Sequence, residues 1–253
     1  LDVSKANPVR AVVYWATKAE GLAQAELSAR TAKQVQEAIV YLYTDRSAPP
    51  QLWADVTVRM PFGERPLMVE NLVAQAHFML RHMPVLDCPV AFLDSDTLIA
   101  HELRMPPAVD LAVTYRDHVA RDKDGNKVAG VAELMPYNYG VILANPTMAA
   151  TEAILALRER VAKLSRNYQD WYGNQVALRE LVGLDKTKRM PYVVRRKTPW
   201  ADILVSVLDA DVWNYTPEAA GEPIEGRKVL HLKGRRKHLM QHYLDRILAE
   251  AEL

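Results

Sequence analysis

Near the middle of the chain, four apolar residues, Val90-Ala91-Phe92-Leu93, run directly into two carboxylates, Asp94 and Asp96, separated by Ser95. An apolar run of this length that ends abruptly in polar residues reads as a central strand of a parallel sheet, buried on both faces. Open α/β sheets bind their ligands at the carboxyl ends of such strands. Two hard oxygen ligands at that edge suit a divalent cation carrying a phosphate-bearing ligand. The expectation is therefore that Asp94 and Asp96 hold a metal-bound nucleoside diphosphate. Taken alone, the same pattern also describes a turn or the cap of a following helix.

Composition narrows the class. With 253 residues, 49% hydrophobic and 25% charged, the chain has the make-up of a soluble globule with a large core. It is read as one domain over residues 1–253, with 226–253 forming a C-terminal segment and helix that close the site. A formal charge of +1 gives no global field for nucleic acid. The single cysteine, Cys88, excludes an internal disulfide and is compatible with a reducing, cytoplasmic compartment. No stretch of eighteen uninterrupted apolar residues appears and the N-terminus is polar, so neither a spanning helix nor a signal peptide is expected. The chain opens on Leu1 rather than Met, which leaves trimming upstream open.

In chain order, Val9 to Ala16 reads as the first strand, residues 22–36 as a helix, and Ala38 to Tyr43 as a second strand, a crossover unit. Asp55 to Met60 alternates like a short strand. From Pro66 to His82 a helix is predicted, with Val69, Val73, Ala76 and Leu80 on the face toward the sheet. Leu111 to Tyr115 is a further strand, and residues 121–127 a hairpin or flexible loop around Asp124-Gly125-Asn126. Tyr137 to Leu143 runs into Asn145-Pro146, read as a helix cap and first position. The helix that follows carries Ile154, Leu157, Val161 and Leu164 on one face. A shorter helix lies within Trp171–Val182, Ile203 to Leu208 is a late strand, and residues 236–252 form a last helix with Met240, Tyr243, Ile247 and Ala251 inward.

Four motifs in this order resemble the nucleotide-sugar glycosyltransferases of the GT-A fold, and most of all the glycogenin and lipopolysaccharide-galactosyltransferase group. They are Leu93-Asp94-Ser95-Asp96-Thr97, Asn138-Tyr139-Gly140-Val141, Tyr172-Gly173-Asn174-Gln175, and His231-Leu232-Lys233-Gly234-Arg235-Arg236-Lys237, which has the group's His-x-x-Gly-x-x-Lys spacing. The resemblance implies an α/β fold with a mostly parallel central sheet flanked by helices, and transfer of a sugar from a nucleoside-diphosphate sugar such as a UDP-sugar. It makes Asp96 the principal metal ligand, Asp94 a second ligand that also meets ribose, and His231 the third. Lys237 would bind the diphosphate, with Gly234 allowing a close backbone approach. Ala16 and Thr17 would line the nucleobase pocket, Ser95 would lie against the donor, and Arg65 would approach the phosphates. Asn138, Asn174 and Gln175 would face the donor sugar or acceptor and, with Asp96, form the catalytic set. The group usually has a small residue in place of Tyr139 and Asp in place of Asn174, which leaves the sugar and the stereochemical outcome open.

The implied cofactor is Mn2+ or Mg2+, with the imidazole tilting the choice toward Mn2+. The acceptor, whether glycan, lipid-linked or protein, is not named by any motif, and Asp170 and Glu133 are the carboxylates considered as a general base. Each feature also has a plainer reading. His231 suits a hydrogen-bonded interior histidine, and Asn174 a helix cap. The basic residues at 227–237 suit a solvated face, an anion site or peripheral contact with a membrane. The cluster at 186–197 suits an exposed loop. Two rival enzymes share the apolar strand or the fold. A haloacid-dehalogenase-like phosphatase expects Asp-x-Asp-Gly-Thr near the N-terminus, and a sugar-nucleotide synthase expects a glycine-rich loop after the first strand; neither is present. A catalytically silent nucleotide-binding protein stays open.

Overall fold

The computed structural model describes residues 6–106, 108–116, 135–183 and 190–251. Its strands are β1 (Asn7–Pro8), β2 (Ala11–Trp15), β3 (Ile39–Asp45), β4 (Val56–Met60), β5 (Val90–Leu93), β6 (Thr97–Ile99), β7 (Arg104–Met105), β8 (Leu111–Tyr115), β9 (Tyr137–Ala144), β10 (Tyr192–Lys197), β11 (Asp202–Asp209) and β12 (Val229–His231). The longer helices are α1 (Ala19–Gln34), α2 (Leu67–Arg81), α3 (Met148–Lys163), α4 (Gly173–Val182) and α5 (Met240–Ala251). A central eight-stranded sheet has the order β10-β11-β8-β9-β5-β2-β3-β4. In it β2, β3, β4 and β5 run parallel, β9 is inserted antiparallel between β5 and β8, and β11 is again parallel to β8.

Side-chain alternation explains why β2 and β5 are apolar throughout. Val13 and Phe92 point to one face, where they meet Leu72, Phe78 and Met79 of α2 and Ile154 and Leu157 of α3. Val12, Tyr14, Ala91 and Leu93 point to the other, where Ala25, Ala29 and Ala32 of α1 cover them. Helices therefore flank the sheet on both faces, the mostly parallel α/β architecture expected. A third cluster joins Leu98 of β6, Leu230 of β12 and Leu239, Tyr243, Leu244 and Ile247 at the C-terminus.

Several local expectations are corrected. On α2 the buried residues are Glu70, Leu72, Ala74, Gln75, Ala76, Phe78 and Met79, while Leu80 is exposed and Val69 and Val73 are half-buried. The helix packs on the sheet and on α3 at once, so its buried arc is rotated from the single-face stripe. Helix α3 is capped by Thr147, whose hydroxyl accepts from the Ala150 amide, and not by Asn145, whose amide instead donates to the Val109 carbonyl. Residues 234–239 form a 3-10 turn before α5, and Ala251 is exposed while Leu244 takes the inward place. Asn174 lies inside α4 and not at its cap, which is Tyr172 in left-handed backbone. Arg195, Arg196 and Lys197 belong to β10 and not to a loop. The hairpin or loop at 121–127, Glu133, and Lys186, Lys188 and Arg189 lie outside the described residues.

Candidate metal and donor site

At the end of β5 the chain turns out of the sheet. The Asp94 amide donates to the Gly140 carbonyl of β9, and the Thr97 hydroxyl donates back to the Asp94 carbonyl at 2.8 Å. This turn starts β6, which pairs antiparallel with β12, setting His231 opposite Thr97. The Leu232 amide then donates to the Asp96 carbonyl at 2.8 Å. A strand from the far end of the chain is thereby zipped against the Asp-Ser-Asp turn. Asp94, Asp96 and His231 come together with ligand atoms all within 4.8 Å of one another. His231 Nε2 lies 3.0 Å from Asp96 Oδ1 and 3.5 Å from Asp94 Oδ2.

The tautomer of His231 follows from its neighbours. The Thr114 hydroxyl donates to the Asn138 carbonyl at 3.0 Å, so it accepts from Asn214 Nδ2, also at 3.0 Å. That fixes Asn214 Oδ1 toward His231 Nδ1 at 2.8 Å, and Nδ1 must carry the hydrogen. In the neutral ring Nε2 is then a lone pair facing two carboxylates. The whole relay is buried, with His231 and Asn214 each 3% exposed and Thr114 fully covered. Three electron-rich ligands converging in this way fit a divalent cation, and a ring nitrogen fixed by its other hydrogen bond is the usual support of a histidine ligand.

Electrostatics agree with a neutral ring. Burial, aided by the charge of Lys233, holds His231 below its ordinary pKa against the pull of both aspartates. Desolvation in the crevice pushes the Asp94 carboxyl up despite His231, and Asp96 adds to the rise. At Asp96 burial also pulls upward, but His231 and Lys237 outweigh it and hold that carboxyl below the usual range. Lys237 Nζ is 4.0 Å from Asp96 Oδ2 and 3.2 Å from Glu20 Oε1 at the start of α1. Gly234 has φ +56° and open space around it, so glycine there serves a left-handed turn.

The other candidates are placed as follows. Ala16, buried, and Thr17 close β2, and Gly21 of α1 lies near both Ala16 and Ser95. Asn138 is buried and its side-chain oxygen accepts from the Gly140 amide. Gln175 Oε1 accepts from Arg116 at 2.7 Å, and Asn174 Oδ1 accepts from the Gln175 amide. Tyr139 turns into the core and donates to Gln75 at 2.8 Å. Arg65 is exposed on the loop before α2, and among the described residues nothing joins it to the triad. Asp170 is ion-paired to Arg166 on the surface.

The roles of four residues escape a reading of the sequence. A Cβ at Gly140 would stand 2.2 Å from His231 Cε1 and 2.9 Å from Asp94 Oδ2, so only glycine admits the imidazole over β9. Asn214 and Thr114 are common residues whose role depends on partners far away in sequence. Trp15 ends β2 with its indole Nε1 buried and unpartnered, and it lines a small cavity shared with Asp94, Gln75 and Tyr139. The order of elements carries no sign of these alignments.

No protein-family model and no curated protein matches the chain. Solved structures do. The glycosyltransferase GlyE of Streptococcus pneumoniae TIGR4 aligns at TM-score 0.55 with 19% identity, over 96% of this chain and 63% of that one. This chain thus spans less than two thirds of GlyE. A glycosyltransferase involved in glycosylation of the major capsid of PBCV-1 aligns at TM-score 0.53 with 12% identity, over 92% and 99% of the two chains. The galactosyltransferase LgtC, solved in complex with donor and acceptor sugar analogues, aligns at TM-score 0.50 with 13% identity over 95% of both chains. At these identities the likeness is one of architecture, and on that ground the chain has the GT-A fold of these glycosyltransferases.

Proposed function

We propose that the chain transfers a sugar from a nucleoside-diphosphate sugar, a UDP-sugar in the first instance, to a glycan, lipid-linked or protein acceptor. Asp94, Asp96 and His231 would hold Mn2+ or Mg2+. The observation that carries this reading is the His231 Nε2 lone pair aimed at two carboxylates at the carboxyl edge of the sheet. A divalent cation bound there neutralises charge on the leaving diphosphate without proton transfer. Lys237, steadied by Glu20, meets the remaining diphosphate charge. Ala16, Thr17 and the unpartnered Trp15 indole border the place for the nucleobase and ribose. Gln175 keeps its NH2 group for a sugar hydroxyl because Arg116 occupies its oxygen.

No helix among the described residues is long and apolar enough to cross a membrane. Cytoplasmic location is part of the proposal. Arg236 and Lys237 are engaged by Glu218 and Glu20, which favours use of the basic segment at the site over contact with a lipid face. A thermal-shift panel of nucleoside diphosphates and nucleotide-sugars, with and without Mn2+, tests the reading. At 100 times its Kd the right ligand adds about 2.7 kcal/mol. Stabilisation by UDP that requires Mn2+ supports it. Release of phosphate from simple phosphomonoesters, with no nucleotide binding, would instead mark the phosphatase alternative.

A further inference from the structure

Beside the triad lies a second cavity, of about 110 Å³, lined among others by Arg116, Asp211, Asn214, Thr216, Glu218 and Lys233. This is several times the roughly 10–15 Å³ that one water requires. It opens against the ends of β8 and β11, whereas Lys237 leans the other way, toward Glu20 of α1. Among the described residues, neither of its two cations has a carboxylate at ion-pair distance. Arg116 is half-buried and donates to the Met135 carbonyl at 3.2 Å and to Gln175 at 2.7 Å, both neutral acceptors. Lys233 is half-buried, and among the described residues its side chain makes no hydrogen bond or ion pair. The carboxylate of Glu218 is taken by Arg236, and Asp211 has an interaction of its own.

Cations removed from water need an anion or lose much of their stability. We propose that this cavity takes an anionic substituent, a carboxylate or a phosphate, on one of the two sugar substrates. The assignment rests on the glycosyltransferase reading, since Arg116 also holds Gln175, which that reading turns toward the sugars. The substituent belongs either to the donor, as a uronate, or to the acceptor, as an acidic or phosphorylated sugar.

The probe is inorganic phosphate, titrated calorimetrically into the protein saturated with Mn2+ and UDP so that the diphosphate position is filled. Phosphate is expected to bind beside UDP, and Arg116→Gln and Lys233→Gln are each expected to weaken it about tenfold or more, the loss of one charge-assisted hydrogen bond. Phosphate that binds only when UDP is absent, or equally well to both variants, overturns the proposal. If UDP does not bind at all, the donor reading fails by itself. The same titration into the free protein then still decides, because phosphate binding that neither substitution weakens overturns the cavity assignment. UDP-glucuronate binding about tenfold tighter than UDP-glucose, with the preference lost in Arg116→Gln, places the substituent on the donor. Equal affinities alongside phosphate binding place it on the acceptor.

Discussion

The orientation of one imidazole is fixed by a chain of hydrogen bonds that begins at a backbone carbonyl: Asn138 to Thr114 to Asn214 to His231. Removing the link should release the ring. Asn214→Ala is expected to weaken Mn2+ binding by about 10- to 100-fold, the usual range for support of a metal ligand, with folding retained. Metal titration with circular dichroism in parallel checks this. Gly140→Ala should do comparable harm without removing any polar group, since the added Cβ meets His231 Cε1 at 2.2 Å. Asp96→Asn should abolish metal-dependent nucleotide binding in a folded protein, and unchanged Mn2+ dependence would remove Asp96 from the ligand set.

The pH dependence has a definite sign. Only neutral His231 offers a lone pair, and burial first of all lowers its pKa from the usual value near 6.5. Metal affinity should therefore hold through pH 6.5 and fall only below it. For stability the same shift means that the unfolded chain takes up the proton first, so this contribution is present above about pH 6.5 and is lost as pH falls further. Mn2+ affinities measured from pH 7.5 to 5.5 test it; a loss already complete at pH 7 would contradict the buried neutral ring.

At the scale of elements, the ribbon of β6 and β12 decides whether the site is assembled. Leu98 and Leu230 in it are fully buried among Tyr243, Leu244 and Ile247, so β12 is anchored by core packing. The whole of 226–240 therefore should not order on ligand binding as one flap. Hydrogen exchange should show Val229–His231 protected with or without ligand, with slowing on addition of Mn2+ and UDP confined to about residues 233–238 of the exposed turn. Uniform slowing across the ribbon would contradict this. The ribbon also marks the limit of what sequence pattern conveys. Most strands of five to eight residues were legible as apolar runs and the long helices by their period, while the charged six-residue β10 was not. Three-residue strands such as β6 and β12 are too short for a period, and their pairing crosses some 130 residues. Asp94, Asp96 and His231 were legible through motif spacing and resemblance. Gly140 and Asn214 were not, because a void for an imidazole and a partner 100 residues away exist only once the chain is folded. The face of α2 was misjudged for a related reason, as a helix packed against two neighbours has no single apolar stripe.

Across the molecule, the packed sheet and the candidate site at its edge can be separated by substitution. Phe92 is sealed between β5 and α2, where it meets Phe78 edge to face at 5.6 Å. Phe92→Ala should cost about 3–5 kcal/mol in denaturant unfolding, a large share of the roughly 5–15 kcal/mol of a typical domain. Asp96→Asn, four residues later, should cost far less while eliminating nucleotide binding. The central claim, that Asp94, Asp96 and His231 hold one divalent cation for the donor, is tested most directly by pulsed electron paramagnetic resonance on Mn2+ in the presence of UDP. The account predicts nitrogen modulation from one imidazole and phosphorus coupling from the diphosphate in the same species, the nitrogen signal vanishing in His231→Gln. Bound Mn2+ without nitrogen coupling, or with coupling that survives His231→Gln, would contradict it.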